Sequence, residues 1–125
     1  MDVPPPVVRR YLDAYNARDV DALVACVTED IVFENVATGT VTVRTEGRAA
    51  FEALARQGAA MFSAREQAVE ACIATATRVA LRIDFRATVA ADLPNGWRAG
   101  QGLRLSGASF MRLRDGLIAE IVDES

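Results

Sequence analysis

An α+β fold, with three helices from the N-terminal half packed on a curved, mainly antiparallel sheet, is predicted by two observations. Apolar residues recur at helical spacing in three segments of the first half, whereas strand-like alternation dominates the second. The later segments are punctuated by Asn95-Gly96 and Asp115-Gly116, dipeptides that favour tight reversals, so the strands should form an antiparallel meander with the helices on one side of it. A chain of 125 residues can bury one core but not two, and a single domain spanning residues 1–125 is expected.

The elements follow in order. After Pro4-Pro5-Pro6, the residues Val7, Val8, Tyr11, Leu12 and Tyr15 form one apolar stripe, predicting a helix that ends near Asn16-Ala17. Asp19 is a natural N-cap for a short second helix with Val20, Leu23, Val24 and Val27 on its buried face, broken at Thr28-Glu29-Asp30. Residues 31–36 read as a strand, Gly39 as a turn, and the β-branched residues 40–45 as the returning strand. From Gly47 the helical period resumes, with Phe51, Leu54, Ala55, Gly58, Met61 and Phe62 on one side. Four strands are then expected over residues 65–75, 78–91, 102–114 and 117–123.

Composition restricts the chemistry. A hydrophobic share of 51% with 25% charged residues is that of an ordinary globule, and no run is long and apolar enough for a membrane span. A net charge of −3 with scattered arginines lacks the basic surplus that nucleic acid requires of a partner. Cys26 and Cys72 sit singly in apolar segments and read as buried thiols, neither a redox nor a zinc motif. The start of the chain has neither a basic nor an apolar leader region, so a cytoplasmic location is expected. The absence of histidine removes the usual general base and the commonest metal ligand, which leaves acid–base work to carboxylates; no metal and no cofactor are expected.

The segment Tyr11-Leu12-Asp13-Ala14-Tyr15-Asn16-Ala17-Arg18-Asp19, followed by Thr28-Glu29-Asp30-Ile31-Val32-Phe33-Glu34-Asn35, resembles the opening of nuclear-transport-factor-2-like proteins, and the likeness extends along the whole chain. That resemblance implies a cone-shaped fold around one pocket for a small apolar or polycyclic molecule. The superfamily includes ketosteroid isomerases, SnoaL-like polyketide cyclases, limonene-epoxide-hydrolase-like enzymes and non-catalytic binding modules, so fold alone does not give activity. Functionally the chain is most similar to the limonene epoxide hydrolases, whose sites combine an asparagine, an Arg-x-Asp pair and a late aspartate. Asn35, Arg82, Asp84 and Asp123 stand at the corresponding places, with Phe33 where that family has a tyrosine.

The likeness implies that Asp123 draws a proton from a water held by Asn35, that protonated Asp84 donates to the epoxide oxygen, and that Arg82 bridges the two aspartates. Two neighbouring carboxylates resist double ionisation, which would keep one of them acidic. The ketosteroid isomerase comparison matches Tyr11 to an oxyanion-hole tyrosine, but puts Asn35 at the base position and Ser109 at that of an acid. A SnoaL-like cyclase would need only one base, Asp84 or Asp123. Tyr15 and Phe51 join Tyr11, Phe33 and Ser109 as expected pocket residues.

The strand alternation itself leaves two placements open. Arg78, Arg82, Asp84 and Arg86 alternate with Val79, Leu81, Ile83 and Phe85. Either the apolar set makes the core and the charged set meets water, or Arg82 and Asp84 line the pocket and a second subunit covers the apolar face, making a homodimer through the outer side of the sheet. Asn35 also fits a plain turn residue, and Asp123 a polar chain end. Trp97 fits either a pocket mouth or a loop aromatic tucked into the core.

Overall fold

The computed structural model describes all residues, 1–125. Helix α1 (Pro6–Asn16) begins with proline in its first turn, where a missing N–H costs nothing. Its buried residues are Val7, Val8, Tyr11, Leu12 and Ala14. Helix α2 (Val20–Val24) is capped by Asp19, whose carboxylate accepts from the Ala22 N–H at 3.1 Å. It stops earlier than its apolar pattern suggests, because Val27 already belongs to strand β1 (Val27–Ala37).

Strand β2 (Thr40–Glu46) returns antiparallel through Thr38-Gly39, both with positive φ as a two-residue primed turn requires. Helix α3 (Arg48–Met61) runs directly into β3 (Phe62–Ala74). Strands β4 (Arg78–Val89), β5 (Gly102–Arg114) and β6 (Leu117–Glu124) complete the order. Asp115-Gly116 is the same primed reversal between β5 and β6. Asn95-Gly96 is not a tight hairpin: it sits within a longer connection, residues 90–101, that carries Trp97.

The sheet order is β2-β1-β6-β5-β4-β3. All neighbours are antiparallel except β1 and β6, which run parallel with Asn35 beside Asp123. The expected curved, cone-shaped arrangement is corrected here. The sheet is mixed and open, and its outer strands β2 and β3 do not pair with each other. A meander read strand by strand has no signal for the last strand returning between β1 and β5. On the β3 side, the N-terminal segment occupies part of the edge, with Asp2 N–H donating to the Cys72 carbonyl at 3.0 Å.

One core joins the helices to one face of the sheet: Val8, Tyr11, Leu12 and Phe51 meet Ile31, Cys72, Val79, Leu81, Ile83, Met111, Ile118 and Ile121. Ile31, Ile118 and Ile121 are fully buried, each contributing about 2–3 kcal/mol of transfer free energy. The odd-numbered residues of β4 therefore face the chain's own helices. No second subunit is needed to cover them, and the outer face instead carries Arg82, Asp84, Arg86 and Arg104 together with the exposed Ile73 and Phe110. Cys26 and Cys72 are buried and unpaired. No helix is long and apolar enough to cross a membrane.

Candidate active site

A cavity of about 280 Å³ opens where the C-terminal part of β6 meets α1, the start of β3, and the loop bearing Trp97. Its volume lies near the lower end for small-molecule sites. Asp123, Asn35 and Ser109 supply polar groups, Tyr15 and Gln67 line it from α1 and β3, and Phe62, Ile83, Phe85, Trp97 and Leu105 make apolar surface. The aromatic rings form a linked series: Tyr15 packs edge-on to Phe85 at 6.4 Å, Phe85 to Phe62 at 5.7 Å, and Phe62 tilts against Trp97 at 6.3 Å.

Asp123 is held in place by the register of the sheet. Lying between β1 and β5, it is paired with Asn35 on one side and Ser109 on the other. The Ser109 hydroxyl donates to its Oδ1 at 2.5 Å. Protein surrounds the carboxyl except toward the cavity, and this burial pushes its pKa up to about 6, with the Ser109 hydrogen bond opposing the shift. Near neutral pH the group is a carboxylate with appreciable basicity. Removing the opposing bond should raise the pKa further: in Ser109→Ala, the Asp123 carboxyl carbon followed by NMR should titrate roughly one pH unit higher than in wild type.

Asn35 reaches the same cavity, but its side-chain N–H groups are engaged, donating to Thr42 Oγ1 at 3.0 Å and to Ser125 Oγ at 3.4 Å. Tyr15 lines the site, whereas Tyr11, Phe33 and Phe51 belong to the core beneath it; Phe33 and Phe51 pack edge to face at 5.9 Å. Burial raises the Tyr11 phenol well above its ordinary range, and the charge of Asp123 adds to this.

Arg82 and Asp84 lie on the opposite face of the sheet. Asp84 pairs in register with Ser106 and Ala68, and accepts from Arg104 and Arg86, each at 3.2 Å. Hydrogen bonding from Arg104, with Arg86 adding to it, holds its carboxyl below the ordinary carboxylate range, the reverse of what a proton donor needs. Arg82 is exposed on this same outer face. The expected Asp–Arg–Asp arrangement is therefore not assembled, because alternation places both residues away from the cavity once Leu81 and Ile83 enter the core.

Met61, Phe62, Gln67, Phe85 and Leu105 line the cavity without having been expected there. Nothing local marks Gln67, but its position in β3 opposite Phe85 points it inward. No group of three or more His, Cys, Asp or Glu side chains could hold a metal ion.

A family model described as a SnoaL-like domain matches residues 8–121. No curated protein matches the chain. Among solved structures it is similar to a candidate polyketide cyclase from Xanthomonas campestris pv. campestris, at 25% identity and a TM-score of 0.80, covering 95% of this chain and 87% of that one. A candidate polyketide cyclase from a Silicibacter species shares 29% identity at a TM-score of 0.73, covering 94% and 84% of the two chains. A candidate ketosteroid isomerase from Kribbella flavida, at 22% identity, TM-score 0.69 and coverage of 94% and 73%, shares the fold.

Proposed function

The chain belongs to the SnoaL-like domain family, and on that premise we propose that it is an enzyme of the cyclase or isomerase kind, moving a proton on carbon next to a carbonyl in a small, largely apolar compound. The observation that carries this reading is Asp123, a single carboxylate with its pKa pushed up to about 6, held by Ser109 in a largely apolar cavity. A base tuned near the working pH is what abstraction of a weakly acidic C–H demands. The likeness to two candidate polyketide cyclases supports the same direction.

In ring closure, the Asp123 carboxylate takes a proton from the carbon next to one carbonyl. The enolate carbon then attacks a second carbonyl in the same molecule, and the new alkoxide takes a proton back from Asp123. An isomerase would return that proton to a different carbon. The aromatic series from Tyr15 to Trp97 offers flat apolar surface for the carbon skeleton. Epoxide opening would need an acid opposite this base, and Asp84 on the outer face does not supply one.

The test is exchange of α-protons in deuterated water, followed by NMR, over a panel of cyclic and aryl ketones and 1,3-diketones. At least one compound should exchange faster with the protein than without it. The rate should climb about tenfold per pH unit below pH 6 and level off above, as Asp123 becomes fully ionised. Asp84→Asn should leave the rate unchanged. Exchange at the solvent rate across the panel would sink the proposal.

A further inference from the structure

An enolate formed by Asp123 carries its charge on oxygen, and a largely apolar cavity must supply hydrogen-bond donors to that oxygen. Several lining donors are otherwise disposed. Ser109 already donates to Asp123, and Asn35 already donates to Thr42 and Ser125. Ser106 pairs with Asp84 in register, which turns its side chain to the outer face. On the wall made by α1 and β3 stand the Tyr15 hydroxyl and the Gln67 side-chain amide, within hydrogen-bonding reach of each other.

Both are held by defined contacts. Arg65 is buried, has no carboxylate within ion-pair distance, and lies over the Tyr15 ring with its guanidinium carbon 3.6 Å from the ring centroid. Its Nε donates to the Tyr15 carbonyl at 2.9 Å. Asn16, the next residue of α1, accepts from the Gln67 N–H at 2.7 Å and donates to the Gln67 carbonyl at 3.3 Å. These bonds tie the helix end to β3 at the point where the two side chains enter the cavity. Resting on the reading of Asp123 as base, we propose that Tyr15 and Gln67 form the donor pair that receives the substrate's carbonyl oxygen and stabilises it as it becomes an enolate.

Burial raises the Tyr15 pKa, opposed by the Arg65 cation on its ring and by a hydrogen bond from the Gln67 side chain, so the phenol keeps its proton and acts as a donor. Asp123 and the donor pair sit on different elements of the cavity wall, β6 against α1 and β3, which selects a compound that presents an acidic C–H and a carbonyl oxygen toward separate parts of the site.

The probe is 4-nitrophenol, whose absorbance distinguishes the phenolate from the phenol, with nitrobenzene as the analogue lacking the oxygen. Binding is measured at pH 8 by titration with the intact protein, independently of turnover. Wild type should bind the phenolate in preference to nitrobenzene. Tyr15→Phe should weaken phenolate binding about tenfold and Gln67→Leu about threefold, leaving nitrobenzene binding and the thermal midpoint near wild type. Asp84→Asn, on the outer face, should leave the preference unchanged, and Asp123→Asn should strengthen phenolate binding by removing a like charge. Loss of preference in Asp84→Asn, equal weakening of both ligands in Tyr15→Phe, or no phenolate preference in wild type would each overturn the assignment. If the preference depends on Tyr15 while Asp123→Asn retains full exchange activity, the donor pair stands as a binding site and only the base assignment fails.

Discussion

Replacing Asp123 by asparagine should lower activity and raise stability at the same time. The amide cannot accept a proton, so catalysed α-proton exchange should fall by about a hundredfold or more. Stability moves the other way because the native carboxyl is held at about pH 6, above its ordinary value of 3.8. The folded protein therefore binds more protons than the unfolded chain between those values. This group's contribution is most favourable below about pH 4 and is lost as pH rises through about 6.

The full shift corresponds to about 3 kcal/mol, and partial access of water from the cavity reduces the expected penalty to about 2 kcal/mol at pH 8. Asp123→Asn removes that penalty. In urea titrations at pH 8 the variant should exceed wild type by about 2 kcal/mol, with the difference vanishing near pH 4. The comparison is between variant and wild type at each pH, because Asp30 and Asp84, both with lowered pKa values, shift stability in the opposite sense in both proteins. A variant less stable than wild type at pH 8, with exchange activity intact, would make Asp123 an ordinary structural carboxyl.

The second large effect is expected at Gly107, opposite Ile83 on β5 and in the cavity lining. A Cβ built there would lie 2.5 Å from the Glu124 carbonyl oxygen. That oxygen is backbone, so no side chain can swing aside, and β5 and β6 would have to separate. The adjoining register pairs are Ala108 with Glu124 and Ser109 with Asp123, so separation disturbs the contact that holds the proposed base. An alanine in a strand otherwise gains up to about 1 kcal/mol over glycine through backbone entropy. Steric strain should outweigh this and leave Gly107→Ala about 1–3 kcal/mol less stable, with 4-nitrophenolate binding weakened as well.

Gly102→Ala is the matched control. A Cβ at Gly102 meets nothing within 4 Å. That variant should be neutral or slightly stabilised in the same denaturation experiment. Equal stability of both variants would mean that the β5–β6 separation yields without cost.

Local chemistry alone carried much of the architecture. Helical spacing in Val7, Val8, Tyr11 and Leu12 marked α1, Asp19 marked the start of α2, and Asp115-Gly116 marked the last hairpin. These features depend on neighbours a few residues away, which a linear chain displays directly. The absence of histidine likewise directed attention to carboxylates, and Asp123 was among those named.

Strand order and strand face were beyond that reach. Period-two alternation puts Arg82 and Asp84 on one side and Leu81 and Ile83 on the other, and it is unchanged when the two sides are exchanged. The helices decide between the sides by packing on the apolar one. No local pattern announces that β6 returns parallel to β1, yet that pairing sets Asn35 beside Asp123 and, with Ser109 on the other side from the β5–β6 hairpin, keeps it inside the sheet rather than at a loose end. The open edges at β2 and β3, and the arrival of Gln67 and Trp97 at the same cavity as Asp123, follow from packing between segments distant in the chain. The sequence alone determined most of the helices and strands and, by lacking histidine, narrowed any acid–base role to carboxylates. Which carboxylate meets a cavity was decided by tertiary packing, because only burial of one sheet face breaks the symmetry that alternation leaves.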